Sequence, residues 1–232
     1  MEFKQLVEPS VEKPLVIAAL QDMGNVGNIV IDFVNKSKKT VPFRIAESTL
    51  LSYVLDKGGH IEIPKEAWEY RYTENLIVFG GGYGQPKTNE DLHQLCQDVI
   101  NVAKKYNAKF VYTLGGFHTD RVITDNPRTY VTTTSQDLTA QLQKMDISIT
   151  PSKSVITGFN GLILGYAKTN GLHGIGLYGE LNEPSIPQYR TAKSVVKTLE
   201  KMTYQSFGST HELDVMAETI DKKLKTDWRM DF

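Results

Sequence analysis

A single cysteine, Cys96, stands among the 232 residues, so the chain can form neither an intramolecular disulfide nor a multi-cysteine metal site. Charge of one sign is lacking too. The 26 Lys and Arg residues against 27 Asp and Glu leave a formal net charge of -1. That balance gives no global basic field and argues against nucleic acid or a membrane surface as the partner. The longest apolar stretches, PLVIAAL, NLIVFGG and GLILGYA, fall far short of the roughly 20 residues needed to cross a bilayer. The opening MEFKQLVEPSVEKP has no apolar core of the secretory kind, so a cytoplasmic location is the expectation. No G-x-S-x-G elbow occurs, and no glycine-rich loop ends in Gly-Lys-Ser/Thr. Neither a metal nor a cofactor is expected.

What is present is a regular alternation of short apolar runs with helical patterns. Buried strands are expected at Leu15 to Leu20, Asn75 to Phe79 and Lys109 to Leu114, and further strands at Val41 to Ala46 and Gly174 to Tyr178. HIEIP alternates apolar and polar residues, as a half-exposed strand or hairpin arm does. Shorter strands are expected at Val122-Ile123, Tyr130-Val131 and Ile147 to Ile149. Apolar residues at helical spacing place helices around Ile29 to Val34, Leu92 to Val102, Gln136 to Met145, Gly158 to Ala167, Val195 to Met202 and Leu213 to Leu224. Strands alternating with helices imply a mainly parallel sheet with helices on both faces, a three-layer α/β/α sandwich. The expected organisation is one α/β domain over residues 1–208, followed by an amphipathic helix and tail over 209–232.

Ligands of open α/β sheets bind beyond the carboxyl ends of the strands. Glycines cluster where those ends are expected: Gly24 and Gly27, Gly80 to Gly84, Gly115 and Gly116, and Gly179 beside Glu180. Backbone amides there can hold an anion, although sharp strand-to-helix turns need glycine in any case. MGNVGN is the best phosphate-loop candidate but lacks the GxGxxG order. A turn whose free helix amides hold the neighbouring loop is the simpler reading. The segment GGFHTDRVITDNPRTY gathers His118, Asp120, Arg121, Asp125 and Arg128, an anion-binding or acid–base set if it is not a solvated loop. Gly24, Asn25, Gly27, Gly115, Gly116, His118, Arg121, Asn160 and Glu180 are the candidate ligand edge. Cys96 falls on the apolar stripe of its helix and reads as an inert core thiol.

The ordered set strand–GNVGN–helix, GGGYGQP, TLGGFHTDRV with NPRTYVTTT, and ITGFNGLILGYAKTNGLHGIGLYGE resembles the proteasome assembly chaperone family (PAC2 family), especially its archaeal homo-oligomeric members. The resemblance runs from about Pro14 to Glu180. It implies a three-layer fold similar to nucleoside phosphorylases, no established catalytic set, and a role in binding proteasome α-type subunits or related assemblies. Archaeal relatives can also engage proteasome rings through a tail ending hydrophobic–Tyr–any residue. Here Asp231 stands where that tyrosine is expected, so tail docking does not carry over.

Two functions follow as expectations. The first is a non-enzymatic homo-oligomer that chaperones assembly, with Leu213, Met216, Ile220, Leu224, Trp228 and Phe232 as the candidate interface. The stripe they form must cover either their own core or a neighbouring subunit. The second is a phosphorylase- or hydrolase-like enzyme, or a small-molecule binder, that uses the glycine-rimmed edge. It would hold phosphate near Gly24, Asn25, Gly27 or Arg121, with Glu180 or His118 as an acid–base group.

Overall fold

The computed structural model describes residues 1–48, 53–81, 84–123, 126–151 and 153–227. In chain order its strands and helices are β1 (Glu2–Gln5), β2 (Leu15–Ala18), α1 (Val26–Lys38), β3 (Val41–Glu47), β4 (Leu55–Asp56), β5 (Ile61–Glu62), β6 (Ala67–Thr73) and β7 (Leu76–Gly80). There follow α2 (Asn89–Lys105), β8 (Phe110–His118), β9 (Thr129–Thr133), α3 (Gln136–Lys144), α4 (Gly158–Thr169), β10 (His173–Leu181), α5 (Tyr189–Thr203) and α6 (His211–Asp227).

Eight strands form one sheet in the order β1-β3-β6-β7-β2-β8-β10-β9. Its centre, β7-β2-β8-β10, is parallel. These strands are the continuous apolar runs, because a helix layer covers them on both faces. Along β2 and just beyond it, Ile17 and Ala19 join one core with α1, α3 and α5, while Val16, Ala18 and Leu20 join the other with α2 and α4. The three-layer sandwich is thus present, with antiparallel flanks extending the parallel centre. β9 runs antiparallel to β10, and β3, β6 and β1 form an antiparallel wing.

That wing is where sequence and structure differ most. β6 was not among the expected strands, although Trp68, Tyr70 and Tyr72 alternate with polar residues along it; it joins β7 as a hairpin. Arg44 on β3 donates to both oxygens of Asp98 on α2, at 2.6 and 3.0 Å, and Tyr70 donates to Asp98 at 2.6 Å. This network clamps the wing to α2. HIEIP supplies one arm of a separate two-stranded ribbon, β4–β5. Val122 and Ile123 form no strand: the Ile123 N–H is taken by the Asn182 side chain at 3.0 Å. Ile147 to Ile149 contributes only an isolated parallel bridge from Ile149 to Val131.

Helix boundaries follow local chemistry. Thr88 caps α2 by accepting from Asp91 N–H, and Ser135 caps α3 by accepting from Leu138 N–H. Acidic Glu90 and Asp91 open α2 and basic Lys104 and Lys105 close it, in accord with the helix dipole.

α6 packs against α5 through buried Leu213 and Ala217, with Ile220 and Leu224 half-buried. Met216 and Val215 point outward, 38% and 46% exposed. Trp228 and Phe232 lie outside the described residues. Ion pairs Lys36–Glu212, Arg190–Asp221 and Lys193–Asp214 flank the contact. All three are substantially exposed, so Asp214→Ala is expected to change unfolding free energy by less than about 1 kcal/mol in urea titrations. A loss well above that would mean that the ion pairs, rather than Leu213 and Ala217, hold the helix.

Candidate functional site

From β2 the chain reaches β7 on one side, then crosses by α2 to β8 on the other side of β2. The carboxyl ends of β2 and β8 therefore flank a topological switch point, where an open α/β sheet forms its natural crevice. A cleft of about 350 Å³ lies there. A larger hollow, about 650 Å³, sits between α1 and the β3–β6 wing, but its Arg71 is already bound to Glu69 and to the Thr40 carbonyl. The switch-point cleft has the more distinctive chemistry.

Its organising residue is Asp22, which the sequence reading passed over. Asp22 Oδ1 accepts from Gly27 N–H at 2.9 Å, and Oδ2 accepts from Gly116 N–H. The amides that the glycine pattern offered to an external anion are thus occupied by the chain's own carboxylate. Burial pushes the Asp22 carboxyl up to about 7, against the opposing pull of these hydrogen bonds. Close approach requires glycine at position 116: a Cβ there would meet the Met23 carbonyl oxygen at 2.5 Å.

The turn before α1 is gripped from a second side. Gly24 has φ +63°, which a side chain rarely adopts, and Asn25 is left-handed at +53°. Gly24 N–H donates to the Pro184 carbonyl, and Gln188 N–H donates to the Gly24 carbonyl, both at 2.8 Å. MGNVGN therefore anchors Asp22 and the loop after β10. Its expected phosphate contacts at Gly24 and Gly27 are taken, and Asn25 does not line the cleft.

Glu180 and Arg121 form the second constellation. Glu180 is buried in β10, where its carboxylate accepts from the Arg121 guanidinium, from Arg128 N–H at 3.0 Å and from Tyr130 Oη at 3.0 Å. Burial alone would raise its carboxyl, but these donors outweigh it and hold the group below the usual carboxylate range. An ionised, saturated carboxylate is poorly placed to act as a general acid. Arg121 is held against Glu180 and does not line the cleft.

Of the sequence-derived candidates, Gly115, Gly116, His118 and Asn160 do line the cleft, joined by Asp22, Tyr178 and Tyr130. Gly115 and Gly116 are not strand ends, since β8 continues to His118; Gly179 likewise lies inside β10, which continues to Leu181. Asn160, in the first turn of α4, accepts from Thr113 Oγ1 at 3.2 Å and from Leu20 N–H at 3.5 Å. Gln85, from GGGYGQP, binds Phe159 N–H at 2.9 Å and so fixes the start of α4 beside the cleft. Asp125 lies outside the described residues. Cys96 is buried, and burial pushes its thiol up to about 12, far from a reactive thiolate.

The whole-chain architecture is shared with solved archaeal and bacterial proteins. Pyrococcus furiosus PbaB, an archaeal proteasome activator, superposes with a TM-score of 0.82 at 22% identity, covering 97% of both chains. P. furiosus PbaA, an archaeal homolog of proteasome-assembly chaperone, gives 0.80 at 24% identity, covering 98% of this chain and 92% of that one. At these identities the likeness establishes the fold. In sequence, the uncharacterized protein MJ1210 of Methanocaldococcus jannaschii is 27% identical over 222 residues, 94% of this chain and 81% of that protein. The PAC2 family model matches residues 16–226, from β2 through nearly all of α6, and the chain belongs to the PAC2 family.

Proposed function

We propose that this protein is a non-enzymatic, homo-oligomeric assembly chaperone that binds proteasome α-type subunits or a related complex in the cytoplasm. The observation that carries this reading is the family match over residues 16–226. Support comes from a fold shared along nearly the whole chain with PbaB and PbaA. Of the groups that the sequence offered for chemistry, Glu180 is saturated by its hydrogen bonds, and the Gly27 and Gly116 amides are taken by Asp22; His118 alone of the acid–base pair lines the cleft. No helix among the described residues is long and apolar enough to cross a membrane.

The test is capture of purified proteasome α subunits from the same cell by immobilised protein. A stoichiometric complex is expected, and repeated failure to recover one removes the proposed role. Self-association is a separate expectation, with the outward face of α6 as the candidate contact. Val215→Asp combined with Met216→Asp is expected to lower the mass seen by light scattering while leaving the fold intact, because both side chains are exposed. An unchanged mass would move the interface away from this helix.

A further inference from the structure

The switch-point cleft has features that a protein-docking role does not use. Asn160 is only 6% exposed, and its carbonyl oxygen is engaged, but its Nδ2 has no partner among the described residues. Asp22 Oδ2 and Asn160 Nδ2 both crowd Gly115, 2.8 and 3.2 Å from the point that a Cβ there would take. An acceptor and a donor are thus at most about 6 Å apart in the lining of one cleft. Around them, Met23, Phe117, Val155 and Ile156 supply apolar surface. Val155 is 88% exposed at the mouth.

We infer that this cleft binds a small, uncharged, planar ring molecule that presents a hydrogen-bond donor beside an acceptor, the edge of a nucleobase or other cyclic amide. The donor would meet Asp22 and the acceptor Asn160 Nδ2, while the ring faces lie against the apolar walls. A volume of about 350 Å³ falls at the small end of ligand pockets and suits one or two rings. The chemistry separates this class from its competitors. Among the described residues no lysine or arginine lines the cleft and a carboxylate does, so phosphates and carboxylates are disfavoured. A simple amine would satisfy Asp22 but leave Asn160 Nδ2 facing another donor. Gln85, His118, Thr150, Ser154 and Thr157 also reach the cleft, but a sugar's hydroxyls on the side of Met23, Phe117, Val155 and Ile156 would be desolvated without partners.

The site is independent of proteasome binding and is tested separately. Hypoxanthine, uracil and 2-pyridone are titrated calorimetrically into the full chain, with glucose, ethylamine, acetate and inorganic phosphate as controls. Saturable binding of at least one ring amide is expected, with the controls silent. Asn160→Asp, which keeps Oδ1 but replaces the donor, is expected to weaken that binding at least about tenfold. Should that variant fail to fold, Val155→Trp at the exposed mouth is expected to block entry without disturbing the core. Silence from all three ring amides up to low millimolar concentration overturns the inference. Binding confined to the controls overturns it as well, as does ring-amide affinity unchanged in a folded variant.

Discussion

Raising the pH from 5 to 8 is expected to cost the folded protein about 2–3 kcal/mol through Asp22 alone. Burial holds this carboxyl at about 7 in the folded state, against about 3.9 in an unfolded chain. The folded protein therefore keeps a proton that the unfolded chain releases above about pH 4. Stability from that proton is complete below the unfolded value and is lost as pH rises through the folded one. Asp32, also raised by burial, adds a contribution of the same sign. The lowered carboxyls Glu180, Glu200, Glu183 and Glu8 act in the opposite sense, but below the window, where they lose stability as acid protonates them. Urea unfolding at pH 5, 6, 7 and 8 measures the slope. Asp22→Asn cannot ionise and is expected to flatten it. A wild-type profile already flat, or an equal slope in the variant, would show that Asp22 is solvated as in an open loop.

Glu180→Ala is expected to lower unfolding free energy by about 3 kcal/mol. The Glu180 side chain is 2% exposed, so its removal strands the Arg128 N–H and the Tyr130 hydroxyl without their acceptor. Both donors are only partly buried, so each costs near the low end of about 1–3 kcal/mol, and the alanine cavity adds to it. The Arg121 end contributes less, because that guanidinium is 41% exposed and can regain water. Glu180→Gln keeps two acceptor positions on its one oxygen and is expected to lose less than half as much. A Glu180→Ala variant as stable as the parent would mean that the pair is a surface contact. Its carboxylate would then again be a candidate for chemistry.

The central strands were legible because nothing else explains their composition. Val16, Ile17 and Ala18, or Ile77, Val78 and Phe79, are apolar at every position, which only a strand covered on both faces requires. The helices were equally plain from their spacing. β6 carried a readable signal in the alternation of Trp68, Tyr70 and Tyr72, but three aromatics among charges do not resemble a buried run. β1, four residues with only Phe3 apolar, is defined by pairing with β3 rather than by its own pattern.

The site was legible only in outline. Glycine positions located the carboxyl edge, and Gly115, Gly116, His118 and Asn160 do meet at the cleft. What they surround was not legible. Asp22 is a single acid in a polar loop, and its burial arises because amides 5 and 94 residues away converge on one carboxylate. Glu180 and Arg121 likewise meet across 59 residues.

The covered strands and the helical stripes set the α/β class of this protein from sequence alone. Those are properties of local composition and period, which a chain carries before it folds. Only the tertiary structure decided that the glycine edge is filled by the chain's own carboxylate, that Arg121 turns to Glu180, and that Asn160 Nδ2 has no partner among the described residues. Each depends on groups far apart in sequence whose distance and solvation are fixed by packing, and hydrogen bonds of that kind leave no periodic trace.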